Sequence, residues 1–123
     1  MTNGSYPHSI PETLDEVWNE VIRFNDKHFP NWKNEDWRLI SNALAGEVGE
    51  VCDKTKHAYG GGTNPHHVNK INAPDIAEEC FDSFVYIILL VGAMGYNKER
   101  FIVESKLKID KLYKRMGNYV GKL

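Results

Sequence analysis

The sequence predicts an all-α chain arranged as a four-helix bundle. Three observations lead there: apolar residues recur at helical spacing in four segments, helix-start and helix-stop residues bracket those segments, and no segment alternates as a strand would. With 123 residues the chain has the size of one domain, expected to span 1–123.

After an N-terminus expected to be flexible over 1–12, "TLDE" from Thr13 has the T-x-x-E form of a capping box. Leu14, Val17, Val21, Phe24 and His28 then follow at helical spacing, so the first helix should run to about Phe29. Pro30 stops it, and Asn34 is the expected cap of a second helix from about Glu35 to Ala58. "YGGGTNPHHVNKINAP" is too rich in glycine, proline and asparagine for regular structure, which predicts a mobile Gly/His-rich loop over 59–73. Pro74 is tolerated in the first turn of a third helix, which Gly95 should end after about Met94. Asn97 should cap a fourth helix that closes at Gly117. From Phe84 to Met94 the third helix is apolar on every side except for the Tyr86 hydroxyl. Such a helix must be covered all round, more than four short helices of one chain achieve, so a homo-oligomer is expected.

Composition sets further limits. The chain is 41% hydrophobic and 26% charged with a net charge of −2, so no global basic field points to a nucleic-acid polymer or an anionic membrane. The basic residues crowd into the last helix, where a solvated face is the simplest reading. The longest apolar run, "FVYIILLVGAM", is too short to cross a bilayer. Cys52 and Cys80 form no C-x-x-C and are expected to be small buried hydrophobes without a disulfide. "MTNGSYPHS" lacks the basic and apolar regions of a secretory signal, and a cytoplasmic location is expected.

The chemistry lies in two acidic segments. "GEVGE" carries Glu47 and Glu50, and "EECFD" carries Glu79 and Asp82. Residues three or four apart share a helix face, so Glu47, Glu50, Lys54 and His57 form one stripe and Asp75, Glu79, Asp82 and Tyr86 another. Antiparallel packing of the two helices would bring four carboxylates together. Surface acids are the bland alternative, but Ile76, Ala77, Cys80, Phe81 and Phe84 leave little polar face for Glu79 and Asp82. Clustered carboxylates away from water demand protons or a cation, and too few basic residues stand nearby to compensate them. A metal is the expected answer. An all-oxygen donor set suits Mg²⁺, with Mn²⁺ as a substitute. A di-iron centre would need an E-x-x-H on two helices, and neither motif holds a histidine. His66 and His67, adjacent in the loop, are expected to be solvated. Carboxylates, a glycine-rich loop and late basic residues together suggest a site that handles phosphoryl groups.

The pair "GEVGE … EECFD" resembles the E-x-x-E … E-x-x-D signature of MazG-like, all-α nucleoside triphosphate pyrophosphatases. "ALAGEVGEV", with Tyr86 four residues after Asp82, is most similar to the dCTP pyrophosphatase branch. The resemblance spans about Leu14 to Arg115. It implies a MazG-like bundle completed by a homodimer or homotetramer. It also implies Mg²⁺-dependent hydrolysis of a (deoxy)nucleoside triphosphate to monophosphate and pyrophosphate, a housecleaning reaction on the nucleotide pool. The metal and catalytic roles carry onto Glu47, Glu50, Glu79 and Asp82. Substrate contacts are expected from Lys54, from Phe24, Trp32, Trp37 and Tyr86 against the base or sugar, and from Lys106 and Lys111 at the phosphates. The match departs at Gly46, where many members have glutamate although the dCTP-type branch also has glycine, at Asp110, where asparagine is usual, and at Arg115, displaced from the usual arginine. His57 stands where the dCTP branch prefers tryptophan, so it is a candidate for altered base contact. The alternative is a regulator that binds nucleotide with metal but does not hydrolyse it. A carboxylate-bridged redox or storage protein is a third and weaker reading.

Overall fold

Thr13 begins the first helix by the chemistry its side chain offers. Its Oγ1 accepts the Glu16 backbone N–H at 3.1 Å, and the Glu16 carboxylate turns back to accept the Glu12 N–H, also at 3.1 Å. The structure, a computed structural model, describes residues 10–58 and 73–117. Among the described residues it contains four α-helices and no strand: α1 (Leu14–His28), α2 (Trp37–Ala58), α3 (Ala73–Ala93) and α4 (Lys98–Gly117). The fold class is all-α. The loop expected over 59–73, with His66 and His67, lies outside the described residues up to 72, as does the N-terminus up to residue 9.

The break between α1 and α2 is more structured than the sequence suggested. Trp32–Asn34 forms a 3₁₀ turn, in which the Asn34 N–H reaches Asn31 O and the Glu35 N–H reaches Trp32 O. Asn34 is thereby used inside the turn and does not cap α2. Asp36 does so instead: its Oδ1 accepts the Arg38 N–H at 2.8 Å, and α2 starts at Trp37 rather than Glu35. The end of α3 follows expectation. Gly95 adopts φ +87°, its N–H reaches Gly92 O at 2.9 Å, and the Tyr96 N–H reaches Val91 O at 3.1 Å. That pair of bonds is the Schellman closure, which glycine alone enters without a Cβ clash. Asn97 then accepts the Arg100 N–H at 2.8 Å and opens α4 as predicted.

The core gathers where the ends of these elements meet. Trp18 and Val21 of α1, Trp32 of the turn, Ile40 of α2 and Ile88, Leu89 and Val91 of α3 form it, with Phe84 and Phe101 packed against them. Trp18 meets Phe84 edge-on and Phe101 at 5.2 Å between ring centroids. α2 and α3 run antiparallel side by side, while α1 and the turn cover the C-terminal half of α3. Coverage is incomplete. Within the apolar stretch of α3 only Ile88 is wholly enclosed; Phe84, Val85, Tyr86, Ile87 and Leu90 are half-buried, and Met94 is exposed. No residue of α4 is buried; its first turn meets α1 through Phe101 on Trp18 and Lys98 on Asp15 and Asn19. The cysteines differ from expectation as well. Cys52 and Cys80 are free, and both are exposed, since they sit on sides of the α2–α3 pair that no other described element covers.

Candidate metal centre

Two contacts set the register of the α2–α3 pair. At one end the Trp37 indole N–H donates to Ala93 O at 3.1 Å; at the other, Lys54 Nζ lies 3.2 Å from Glu79 Oε1. Between them, the acidic stripes of the two helices face each other. Glu47, Glu79 and Asp82 each offer an oxygen, and the three oxygens lie within 4.8 Å of one another. All three side chains are half-buried rather than interior, so the acids line an open face of the single chain and not its core. Glu50 is exposed and stands outside this close set, one turn along α2 from Glu47.

The electrostatics follow from the geometry. Loss of water pushes the Glu47 carboxyl above its ordinary range, and the neighbouring charges of Asp82, Glu79 and Glu50 push it further. Lys54 moves in the stabilised direction: its hydrogen bond to Glu79 raises its pKa against the cost of desolvation, with Asp75 and Glu78 adding to the attraction. So one basic residue does reach the cluster, where too few were expected to compensate the acids. The signal was present in the sequence, since Lys54 follows Glu50 by one helical turn.

The donor set fits a small hard dication. Six oxygens at about 2.1 Å from Mg²⁺ lie roughly 3 Å apart when adjacent and about 4 Å apart when opposite. Oxygens already within 4.8 Å need side-chain adjustments of under about an ångström to meet that geometry. Glu47, Glu79 and Asp82 could hold the ion, with Glu50 within one turn as a further acid.

The remaining candidates divide. Tyr86, half-buried and one turn beyond Asp82, shares the acidic side of α3. Trp32 does not reach the site. Its ring is buried against the backbone of Gly92 and its Nε1 donates to Asp26 Oδ1 at 2.8 Å, so a tryptophan in a polar linker is a core residue. Gly92 lies ten residues from Asp82, about 15 Å along the helix. Trp37 is at that same far end of the pair, bonded to Ala93. Phe24 is exposed and stacks on His28 and Phe29. His57 is exposed and turns to its own helix, with Nδ1 2.8 Å from Asp53 O. Lys106 and Lys111 are exposed on α4, and no ion pair among the described residues joins them to the acids. No helix among the described residues is long and apolar enough to cross a membrane. In comparisons with known proteins the chain matches no family model, and no curated protein or solved structure matches it.

Proposed function

We propose that the protein is a Mg²⁺-dependent nucleoside triphosphate pyrophosphohydrolase of the MazG-like type, acting on a (deoxy)nucleoside triphosphate. The observation that carries this reading is the convergence of Glu47, Glu79 and Asp82 from two helices within 4.8 Å. Carboxylates placed this closely repel one another, which adds to the loss of water that raises the Glu47 pKa, and a hard dication relieves the repulsion. When bound, such an ion polarises phosphoryl oxygens and acidifies a coordinated water. In this reading Glu47, Glu79 and Asp82 hold the ion. Glu50, exposed and one turn away, is the acid left to accept a proton from the attacking water. The water oxygen bonds to the α-phosphorus as the bond from that phosphorus to the bridging oxygen breaks, and pyrophosphate leaves. Tyr86, on the same side of α3, positions the sugar or base.

The reading includes a second copy of the chain. The uncovered side of α3 and the unburied α4 leave apolar surface that a homodimer or homotetramer would cover. It also gives Lys106 and Lys111 a route to the phosphates, because among the described residues no ion pair within one chain joins them to the acids.

The test is a panel of canonical and modified nucleotides with Mg²⁺ that separates monophosphate plus pyrophosphate from diphosphate plus phosphate. Monophosphate and pyrophosphate are expected, and Asp82→Asn and Glu79→Gln should each cut the rate by about a hundredfold or more while keeping the helical circular dichroism. Undiminished hydrolysis in those variants would place the chemistry elsewhere. Nucleotide that raises the melting temperature with Mg²⁺ but is never consumed would identify the non-catalytic regulator instead.

A further inference from the structure

The acidic face already contains one cation of its own. Lys54 stands one turn beyond Glu50 and two turns beyond Glu47, and its ammonium lies 3.2 Å from Glu79 Oε1. Glu79 is therefore claimed twice. It is one of the three acids whose oxygens converge, and it is also the acceptor of the lysine. The two claims differ in what they satisfy. A single ammonium pairs with one carboxylate and leaves Glu47 and Asp82 facing each other, whereas a dication between the helices would serve all three.

Lysine and dication also repel one another at this range. The lysine side chain is 39% exposed and the Glu79 side chain 17%, so the ammonium has solvent to move into while the carboxylate stays in place. A four-carbon stem with free rotors permits that movement at little cost.

We propose that Lys54 is a tethered competitor of the divalent ion: it holds Glu79 while the ion is absent, swings away as the ion binds, and so sets the concentration at which the site fills. The inference rests on the metal-binding reading of the acids and adds a regulating residue to it. It differs in sign from a merely structural role. If Lys54 served only to pin the helices and orient Glu79, its loss would weaken ion binding; as a competitor, its loss strengthens it.

The experiment is a Mn²⁺ titration of the full chain without nucleotide, followed by calorimetry and by the loss of the free-ion paramagnetic resonance signal. Lys54→Met keeps the stem and removes the charge, and its Mn²⁺ dissociation constant should fall about three- to tenfold. Lys54→Arg keeps the charge and should bind no tighter than the wild type. The Mn²⁺-induced rise in melting temperature should be larger in Lys54→Met than in the wild type. Lys54→Gln, a neutral donor to Glu79, carries the same expected sign should the methionine variant not fold. Equal or weaker Mn²⁺ binding in the neutral variants, with the ion still taken up, would overturn the competitor role alone. No Mn²⁺ uptake by any of the folded proteins would overturn the metal reading and this inference together.

Discussion

The Glu47 carboxyl holds its proton more tightly than usual because it loses water and faces Asp82, Glu79 and Glu50. Its folded-state pKa lies above that of the unfolded chain. Between the ordinary value of 4.5 and the raised one, the native state binds more protons than the unfolded state, so stability grows as pH falls through that window. At neutral pH the ionised side chain thus works against the fold when no ion is bound. Glu47→Gln should raise the melting temperature in chelator at pH 7 and should abolish the rise that the proposed metal site predicts for the wild type with Mn²⁺. A melting temperature in chelator that is unchanged or lower would mean that Glu47 carries no such strain. Asp36 shows the opposite sign. The Arg38 guanidinium, 2.7 Å away, and the Arg38 backbone N–H lower its pKa, so its contribution is present above the ordinary carboxylate value and is lost as acid titrates it through the lowered one. Asp36→Ala should lower the melting temperature at neutral pH and shift it less once the pH is below both values. An equal loss at both pH values would show that the cap works without its charge.

The 3₁₀ turn packs on α3 through a close approach that only glycine allows at one position. A Cβ built on Gly92 would lie 2.8 Å from Trp32 Cζ3 and nearer still to the ring tip, with the ring itself buried in the core. Alanine is the better helix former by about 1 kcal/mol, yet overpacking of this kind costs about 1–3 kcal/mol. Gly92→Ala should therefore destabilise the protein in denaturant titrations, and a gain in stability would show that the indole gives way. This contact also marks the limit of what the sequence discloses about the elements. The start of α1 at Thr13, the stop at Gly95 and the start of α4 at Asn97 were legible because each depends on side-chain or backbone chemistry within a few residues. The choice of Asp36 over Asn34 was not, because a 3₁₀ turn first uses the backbone on both sides of Asn34, and no local pattern announces that turn. Trp32, among polar neighbours, read as a substrate contact because its partner, Gly92, is far away in the chain. The faint signal was the glycine itself, a poor helix residue kept in an apolar helix. The same limit runs through the candidate site. Helical spacing located Glu47, Glu79 and Asp82 on facing stripes, but spacing alone could not tell that Trp37 bonds at the opposite end of the pair or that Lys54 reaches Glu79.

Assembly is where the chain's physics points beyond itself. Along α4, Ile102, Ile109, Leu112 and Met116 recur at offsets of seven, three and four, a seam of the kind that packs helix on helix. All four are exposed, as are Leu107 and Tyr113, and no residue of the helix is buried. An isolated helix of this length gains little from propensity alone and depends on packing its apolar stripe. The half-covered side of α3 has the same need, and both are met if copies of the chain pack together. Light scattering coupled to size exclusion should accordingly give at least twice the 14.1 kDa of one chain. Ile109→Glu combined with Leu112→Glu places two charges in the seam and should shift the population toward single chains, with loss of helical signal as α4 loses its partner. Because Lys106 and Lys111 lie on this helix and do not meet the acids within one chain, the same variant should raise the nucleotide KM while leaving Mn²⁺ binding at Glu47, Glu79 and Asp82 close to that of the wild type. That division separates assembly from metal capture: a wild-type chain that runs as a monomer and still turns over nucleotide would show that α4 needs no second copy, and a variant that loses Mn²⁺ together with nucleotide would show that the acids themselves are formed only in the oligomer.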